Sequence, residues 1–350
     1  MFDRIGFRRA PSHQVRIGII GAGAVVETLH LPVLAAMRSA SLSWICDMAL
    51  GRAREVAQRF GIADAYSKLD ECPDVDIALV AIPVGVRRPV LDQCFARRFN
   101  VFSEKPFART VEEHDTFIQG AERAGIRIGV ALMRRFYQST RTAARIVRDR
   151  SFGTLKYVLA GEGGRMRGTG RGDDWYQTSR AAAGGGVLIE TGSHLVDQVA
   201  LIAGASDLQI DEYEHISCDD IEGHAKVRAT CSSPYAPGFP VEFQLSRIDE
   251  VPNGIWLKFD DALVKLDCAS TSAVTILDRR CRPIGIVPPD PGASLPFQAF
   301  YAEWRSFLAE CAGGPEGDTS ARKARLSTAL IQQCYARARA GRAPATAEAS

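Results

Sequence analysis

Apolar strand-like runs alternate with helix-forming segments from residue 15 to residue 132. The runs occupy residues 15–20, 42–46, 76–82, 101–106 and 126–132. Because they are apolar almost throughout, we expect strands that are covered by helices on both faces of a sheet. The alternation therefore predicts an α/β fold, with a doubly wound parallel sheet in an N-terminal domain that spans residues 15–132.

Two helices of this region carry recognisable ends. Thr110 and Glu113 have the spacing of a capping box, in which the threonine side chain accepts a hydrogen bond from the N–H three residues later. Gly61 and Gly125 follow helical segments and suit the left-handed conformation that ends a helix. These signals predict one helix that ends at Gly61 and another that begins after Thr110 and ends at Gly125.

The pattern changes after residue 133. A helix near 137–150, a strand near 154–160 and a helix over 186–203 precede three segments in which every second residue is apolar. The alternating residues are Val241, Phe243 and Leu245, then Ile255, Leu257 and Phe259, then Val264 and Leu266. Because no helices separate these segments, they predict an open, largely antiparallel sheet with one covered face.

The domain limits follow from these patterns. We expect a C-terminal α/β substrate domain over residues 133–340, closed by helices near 296–311 and 319–340. Residues 1–14 and 341–350 show no such periodicity, and we expect them to be poorly ordered tails.

Composition narrows the class of protein. The formal net charge is +2 over 350 residues, which is too small to indicate nucleic-acid binding. The nine cysteines are odd in number and widely spaced, without a Cys-x-x-Cys pair, so we expect reduced thiols and no bound metal. No stretch approaches the roughly 20 apolar residues that a membrane helix requires, and the N-terminus lacks a signal-peptide core. We therefore expect a cytoplasmic protein without nucleic-acid or membrane partners.

A glycine-rich turn follows the first predicted strand. In the segment Gly21-Ala22-Gly23-Ala24-Val25, the glycines would allow a tight turn and the close approach of a pyrophosphate to the next helix N-terminus. This arrangement predicts a Rossmann dinucleotide-binding domain, in which Gly21, Gly23, Ala24 and Val25 lie against the cofactor.

Asp47 ends the second predicted strand. A carboxylate at this position can accept hydrogen bonds from the adenosine ribose hydroxyls and would repel a 2′-phosphate. The sequence therefore favours NAD as the cofactor, with NADP as the alternative. Val26 occupies the third glycine position of the turn, where helix and sheet usually pack closely.

The segment Glu104-Lys105-Pro106 ends the strand predicted over residues 101–106. Ligands of doubly wound sheets bind beyond the carboxyl ends of the strands, so we expect Glu104 and Lys105 to face the cofactor crevice. There the Lys105 ammonium could hydrogen-bond a substrate hydroxyl or the nicotinamide ribose. The alternative is a solvated lysine beside a turn proline.

A polar stripe lies on the helix predicted over residues 186–203. Glu190, His194 and Asp197 are spaced so that they share one helix face. We expect His194 to take a proton as a carbinol loses hydride, with a neighbouring carboxylate that stabilises the imidazolium and raises the histidine pKa. The alternative is a histidine whose hydrogen bonds are satisfied within an ordinary amphipathic helix.

Together, the glycine turn, the Glu-Lys-Pro strand end and the glycine-led helix resemble the Gfo/Idh/MocA family, named for glucose-fructose oxidoreductase and inositol dehydrogenase. The three motifs occur in the family's order, and the resemblance spans about residues 15–335. It implies a Rossmann domain with a tightly held nicotinamide cofactor. It also implies a substrate domain whose open antiparallel sheet is used for oligomer contacts, and hence a homodimer or homotetramer.

The resemblance extends to single residues. Lys105 and His194 match the family's catalytic lysine and histidine, and Asp197 matches the acidic residue commonly found after that histidine. Glu190 departs from the usual aspartate, and its extra methylene moves the carboxylate by about one C–C bond. The loop 83–87 reads Pro-Val-Gly-Val-Arg where the family commonly has Pro-Asn-x-x-His. Pro83 is therefore a candidate cofactor contact in a loop whose nicotinamide or substrate contacts we expect to differ.

Basic residues are concentrated between residues 134 and 180, where eleven Arg and Lys stand against four Asp and Glu. Among them, Arg165, Arg167 and Arg171 lie between glycines, just before the helix that carries His194. Guanidinium groups suit the recognition of phosphate or carboxylate. These three arginines predict an anionic substrate, such as a sugar nucleotide, a sugar phosphate or a uronate.

The leading hypothesis is reversible hydride transfer between a nicotinamide cofactor and a carbinol carbon of a sugar, a cyclitol or a related derivative. Lys105 would position and polarise the reacting oxygen, and His194 would move its proton with support from Glu190 or Asp197. Two alternatives stay open, namely reduction of an imine or enone, and a sensor that binds the cofactor without chemistry.

Overall fold

The computed structural model describes residues 14–164, 180–218, 220–270, 272–289 and 296–340. The strands are β1 Val15–Ile20, β2 Ala40–Cys46, β3 Asp64–Tyr66, β4 Ile77–Val80, β5 Asn100–Glu104, β6 Ile128–Ala131, β7 Leu155–Gly163, β8 Asp207–Cys218, β9 Ile221–Ser233, β10 Ala236–Ser246, β11 Gly254–Phe259, β12 Ala262–Leu266, β13 Val274–Asp278 and β14 Pro283–Val287. The α-helices are α1 Leu31–Ala36, α2 Leu50–Phe60, α3 Arg87–Ala96, α4 Val111–Ala124, α5 Gln138–Arg148, α6 Arg180–Ala183, α7 Val187–Glu190, α8 Gly192–Ala203, α9 Pro296–Cys311 and α10 Arg325–Ala340. Short helical turns lie at Val26–His30, Leu69–Glu71, Val84–Val86, Met133–Phe136 and Ala321–Ala324.

The first sheet contains six parallel strands in the order β3-β2-β1-β4-β5-β6. This order confirms the predicted doubly wound parallel sheet. The chain builds outward from β1 in one direction and then returns to extend the sheet on the other side through β4. The strand order therefore reverses between β1 and β4, which is the point at which such sheets bind ligands beyond their carboxyl ends.

The predicted helix ends are confirmed by the backbone. Thr110 Oγ1 accepts a hydrogen bond from the Glu113 N–H at 3.1 Å, and α4 begins at the next residue. Gly61 and Gly125 have φ values of +67° and +68°, which fall in the left-handed region that favours glycine. Both glycines end the helices as the sequence predicts.

Helix α9 packs on the parallel sheet, although it follows the second sheet in the chain. Its Phe300, Trp304 and Phe307 are buried in one cluster with Ile17 of β1. The Phe307 ring lies against Gly129 of β6, where a β-carbon would come within 2.8 Å of it. A helix that we expected within the substrate domain thus completes the core of the N-terminal domain, and the division at residue 132 stays a prediction.

The second sheet contains eight strands in the order β14-β13-β12-β11-β7-β10-β9-β8. All neighbouring strands are antiparallel except β7 and β10, which run parallel. The predicted alternation is present, since Val241, Phe243 and Leu245 of β10 are buried. These residues share a core with apolar side chains of α5, α8 and α10, so one face of the sheet is covered.

The hairpin of β8 and β9 is absent from the sequence prediction. β8 lies at the edge of the sheet, and within this strand Leu208 alone is buried. Apolar periodicity is therefore missing from most of its length. In β9 the buried positions hold small residues, among them Ala225, Val227 and Ala229, which give a weak signal of strand formation.

Candidate functional site

The glycine turn connects β1 to the first helix at the switch point of the parallel sheet. Gly21 has a φ of +102°, and a β-carbon there would lie 2.3 Å from the carbonyl oxygen of Ala81. Around Gly23 the space is open, because no atom of the described residues beyond Gly23 and its two chain neighbours lies within 4 Å of a β-carbon built there. The turn fits a pyrophosphate that approaches the backbone at the helix N-terminus.

Val26 occupies the third glycine position and is fully buried. The helix is π-helical from Val26 to His30, and the Leu31 N–H donates to the Val26 carbonyl oxygen. The wider π turn thus lies where a glycine usually permits close packing of helix and sheet.

Asp47 follows β2, and its carboxylate is held by two backbone groups. Oδ2 accepts the Ala22 N–H at 2.8 Å, and Oδ1 accepts the Ala49 N–H at 2.8 Å. These bonds fix the carboxylate between the glycine turn and the start of α2. That position is the one at which an acidic residue meets the adenosine ribose in Rossmann domains.

Lys105 lies directly beyond β5 and reaches the second half of the chain. Its Nζ donates to the main-chain oxygen of Glu190 at 3.2 Å. Burial lowers the pKa of Lys105, the Glu104 carboxylate opposes this shift, and the cations Arg134 and Arg247 add to it. Lys105 therefore belongs to a site that is formed by both halves of the chain, and it is not a solvated surface lysine.

Glu104, which we expected to contact the cofactor, is buried, and its carboxylate is held by neighbouring groups. Its Oε2 accepts the Lys105 main-chain N–H at 2.9 Å, and its Oε1 lies 2.8 Å from His30 Nε2. Trp304 Nε1 donates to His30 Nδ1 at 2.9 Å, so the proton of the neutral ring is on Nε2 and is donated to Glu104. Although burial opposes the charge, the bond from His30 lowers the pKa of Glu104. Glu104 positions the backbone of Lys105.

A second buried carboxyl group, Glu303 of α9, lies beside this network. Neither of its side-chain oxygens has a hydrogen-bond partner within the described part of the chain. Burial raises the pKa of Glu303 well above its ordinary value, and the charge of Glu104 adds to the shift. Burial and the charge of Glu104 thus favour the neutral form of Glu303, whereas the bond from His30 favours the ionised form of Glu104.

Arg87 closes the loop that begins at Pro83, and it is buried beneath the crevice. Its Nη1 donates to the carbonyl oxygens of Glu104 at 2.7 Å and Phe107 at 3.3 Å, and also to that of Pro106. Its Nη2 donates to the carbonyl oxygen of Ile82 at 2.7 Å. Burial lowers the pKa of Arg87 to about 10, which leaves it charged at neutral pH. Arg87 thus joins the ends of β4 and β5, whereas Pro83 begins the short helical turn between them.

Glycines before α7 permit its close contact with Glu222 of β9 and Tyr335 of α10. A β-carbon at Gly186 would lie 2.0 Å from the Glu222 carbonyl oxygen, and one at Gly185 would lie 2.0 Å from the Tyr335 hydroxyl. The Glu222 carboxylate accepts the N–H groups of Gly186 at 2.8 Å and Leu188 at 3.1 Å. These bonds satisfy donors at the start of α7 and fix the helix that carries Glu190.

His194 lies in α8, which continues from α7 across Thr191, and is 8% exposed. Its Nδ1 has no hydrogen-bond partner among the described residues. Burial lowers the pKa of His194 well below its ordinary value, and the cations Lys105 and Arg134 lower it further. The predicted upward shift is therefore wrong, because the nearby charges that act on His194 are positive.

The two carboxylates predicted to support His194 pair with arginines instead. Asp197 accepts hydrogen bonds from Arg135 Nε at 2.7 Å and Nη2 at 2.5 Å, and both side chains are buried. Glu190 forms an ion pair with Arg247, which follows β10. Helical spacing placed these residues correctly on the helix, but their counter-ions come from distant segments.

Arg134, Glu162 and Arg247 are site residues that the sequence analysis did not assign. Arg134 Nη1 and Nη2 donate to Glu162 at 2.5 and 2.9 Å, and this buried guanidinium lies within electrostatic range of Lys105 and His194. Arg134 and Glu162 entered only as part of a charge count, and nothing in the sequence pattern marked Arg247.

Arg165, Arg167 and Arg171 lie outside the described residues, so their predicted role stays a prediction. In the described part of the chain, no helix has both the length and the apolar content to cross a membrane. The same residues contain no group of three or more His, Cys, Asp or Glu side chains that could hold a metal ion.

Comparison with known proteins agrees with this geometry. Residues 15–132 match the family model GFO_IDH_MocA, described as an oxidoreductase family with an NAD-binding Rossmann fold. The chain is 28% identical to trans-1,2-dihydrobenzene-1,2-diol dehydrogenase of Mus musculus over 196 residues, which is 55% of this chain and 57% of that protein. It is 26% identical to myo-inositol 2-dehydrogenase of Thermotoga maritima over 212 residues, which is 59% of this chain and 58% of that protein. These matches thus span little more than half the length of the relatives.

The fold likeness extends over both halves of the chain. The crystal structure of aldose-aldose oxidoreductase from Caulobacter crescentus superposes with a TM-score of 0.79, covering 94% of this chain and 99% of that one at 20% identity. Fold and site define a two-part α/β protein with an NAD-binding Rossmann domain. Residues 15–132 are similar to the NAD-binding Rossmann domain of the Gfo/Idh/MocA oxidoreductases.

Proposed function

We propose that this protein catalyses reversible hydride transfer between NAD and a carbinol carbon of a sugar, a cyclitol or a related derivative. The observation that carries the proposal is the convergence of Lys105 and His194 beyond the strand end of the parallel sheet. His194 is buried, Lys105 is partly buried, and the charge of Lys105 acts on His194. The names of the relatives, among them myo-inositol 2-dehydrogenase, support a polyhydroxylated substrate.

The residues divide the work of alcohol oxidation between them. A bound nicotinamide would accept the hydride of the carbinol carbon at its C4 position. Lys105 would donate a hydrogen bond to the carbinol oxygen and hold it in place. His194, neutral because its pKa is lowered, would accept the hydroxyl proton as the carbonyl forms. In the reverse direction, protonated His194 would return the proton to the carbonyl oxygen.

The cofactor site would use the glycine turn, Ala24, Val25 and Asp47. Gly23 leaves open space in front of the turn, and the Asp47 carboxylate is fixed next to it. Pro83 stays a candidate contact at the edge of the crevice. Glu104 also stays a candidate, although its carboxylate is engaged with His30 and the Lys105 main chain.

The direct test is a turnover assay with a panel of sugars and cyclitols. The readout is the absorbance of the reduced nicotinamide at about 340 nm. Mass spectrometry of small molecules that copurify with the protein would guide the choice of substrates. We expect oxidation of at least one neutral or charged polyol with NAD. Tight NAD(H) binding without turnover on any member of the panel would favour a cofactor-binding sensor instead.

Asp47→Ala should narrow the preference for NAD(H) over NADP(H). We expect the unmodified protein to bind NAD(H) more tightly, and the substitution to weaken NAD(H) binding by about 10- to 100-fold through lost charge-assisted hydrogen bonds. Calorimetry with both cofactors measures the effect. Asp92→Ala, which removes an exposed carboxylate of α3, serves as the control. A clear NADP(H) preference in the unmodified protein would contradict the assignment of Asp47.

We further propose that the uncovered face of the eight-stranded sheet makes the contacts of a homodimer or homotetramer. Trp256 and Leu159 are paired on β11 and β7, and Leu263 and Leu277 are paired on β12 and β13. All four are incompletely buried, and Ile286 of β14 is 64% exposed. An apolar surface of this kind marks an interaction site. Light scattering that gives the mass of a monomer would count against the proposal.

The proposal includes a cytoplasmic location. All nine cysteines are free thiols, as expected in a reducing compartment. A disulfide in protein isolated from its native cells would speak against this location.

A further inference from the structure

The ion pair of Glu190 and Arg247 lies beside the reacting groups of the proposed site. The Glu190 main-chain oxygen accepts the hydrogen bond from Lys105 Nζ, and its carboxylate pairs with Arg247. The Arg247 main-chain N–H donates to the Gly223 carbonyl oxygen at 2.8 Å, which fixes the backbone from which the guanidinium extends. The Glu190 and Arg247 side chains are 30% and 14% exposed, so both are accessible in part.

Five charged side chains form a cluster around the proposed site, namely Lys105, Arg134, Glu162, Glu190 and Arg247. Each arginine of this cluster forms an ion pair with a different carboxylate. Arg134 is bound by Glu162 through two hydrogen bonds, and Arg247 is paired with Glu190. The ammonium of Lys105 is the remaining cation among these five side chains, and we assign it to the reacting oxygen. An anionic group that approached either arginine would therefore be repelled by the carboxylate already paired with that arginine.

A neutral polyol meets no such obstacle. A hydroxyl group can donate to a Glu190 oxygen, and a neighbouring hydroxyl can accept from an Arg247 N–H, while the two side chains stay paired. A carboxylate or phosphate of the substrate could bind Arg247 only by displacing Glu190 or by tolerating its charge. The pair thus discriminates between hydroxylic and anionic ligands.

We propose that Glu190 and Arg247 together recognise two neighbouring hydroxyl groups of a neutral polyol and disfavour anionic sugars. The inference rests on the proposed function and narrows its substrate class. The glutamate side chain at position 190 reaches the guanidinium of Arg247, which follows β10. A neutral substrate contradicts the anionic substrate expected from Arg165, Arg167 and Arg171. One experiment distinguishes the two expectations.

The experiment compares D-glucose, D-glucuronate and D-glucose 6-phosphate as ligands of the NADH-loaded protein. Calorimetry gives the three affinities, and turnover with NAD is followed in parallel. We expect glucose to bind at least about 10-fold more tightly than either anion. Glucuronate and glucose 6-phosphate distinguish exclusion of a carboxylate from exclusion of a phosphate.

Two substitutions should each reduce the preference for glucose over the anions, one by raising the affinity for the anions and the other by lowering the affinity for glucose. Glu190→Gln leaves the Arg247 charge without its carboxylate, so the anions should gain affinity relative to glucose by about 10-fold or more. Arg247→Gln removes the donor, so glucose should lose about 10- to 100-fold in affinity and the anions should gain nothing. Arg228→Gln is the matched control, because Arg228 forms exposed ion pairs with Glu212 and Glu242 on the same sheet. The control should leave all three affinities unchanged.

The outcomes separate this inference from the proposed function. Binding ratios as expected without turnover of any polyol would support the inference and count against hydride transfer. Equal binding of glucose and glucuronate, tighter binding of an anion, or binding of none of the three would overturn the inference. An unchanged ratio in Glu190→Gln would overturn it as well, whatever the turnover.

Discussion

His194→Ala should lower kcat by about 10²- to 10⁴-fold and leave NAD(H) affinity nearly unchanged, because a positioned general acid–base group typically contributes that much to the rate. Lys105→Met, which removes the ammonium at similar length, should also slow turnover. The two losses should not multiply in the double variant, since both groups act on one oxygen and its proton. Steady-state kinetics on an established substrate, together with calorimetry of NADH binding, measures these effects.

The pH dependence of the same reaction provides an independent check. Burial and the cations Lys105 and Arg134 lower the pKa of His194, so the neutral base persists below the ordinary value of about 6.5. Oxidation should therefore keep its full kcat/KM at pH 6.5 and decline only at lower pH. Reduction needs the imidazolium, so its rate should fall as pH rises through that lowered pKa.

The control for the His194 prediction is a histidine outside the site. His224→Ala removes a partly exposed histidine of β9 and should leave kcat and the pH profile unchanged. Full turnover in His194→Ala would exclude this residue from the mechanism. A decline of oxidation already above pH 6.5 in the unmodified protein, lost in His194→Ala, would show that the bound state reverses the direction of the pKa shift.

Local sequence patterns were sufficient to predict the parallel sheet and the largely antiparallel character of the second sheet, but not the β8–β9 hairpin of the second sheet. Period-two burial at Val241, Phe243 and Leu245 follows directly from the amino-acid order, and so do the ends of α4. Local patterns do not predict which other element an apolar helix face packs against. Helix α9 was predicted as a helix, but only the structure shows that Trp304 packs into the first core and donates to His30.

The same limit applies to the candidate site. The turn at Gly21 and the strand end at Lys105 could be placed in one crevice, because strand order in a doubly wound sheet brings them together. The counter-ions of Glu190 and Asp197 could not be predicted, since helical spacing says which residues share a face and nothing about which distant arginines meet it. The direction of the His194 pKa shift was wrong for that reason.

Arg135→Met should lower the free energy of unfolding by about 3–5 kcal/mol, because it leaves the buried Asp197 carboxylate without its counter-ion. Arg135 and Asp197 side chains are 2% and 4% exposed, and the guanidinium also donates to the carbonyl oxygen of Asp318 at 2.6 Å. The pair joins the segment after β6 to α8, and so connects the two halves of the chain beneath His194. Denaturant unfolding followed by circular dichroism measures the loss.

A structural and a catalytic role of Asp197 give different results in the same variants. If the pair is structural, Arg135→Met/Asp197→Leu should recover much of the lost stability, since an apolar pair of similar volume can replace a buried ion pair. Arg88→Gln, which breaks an exposed ion pair with Asp92, should cost no more than about 1 kcal/mol. The pH at which oxidation declines should be the same in the double variant as in the unmodified protein, because Asp197 is bound to Arg135 and does not set the pKa of His194. A shift of that pH to lower values in the double variant would instead restore Asp197 as the carboxylate that supports the histidine.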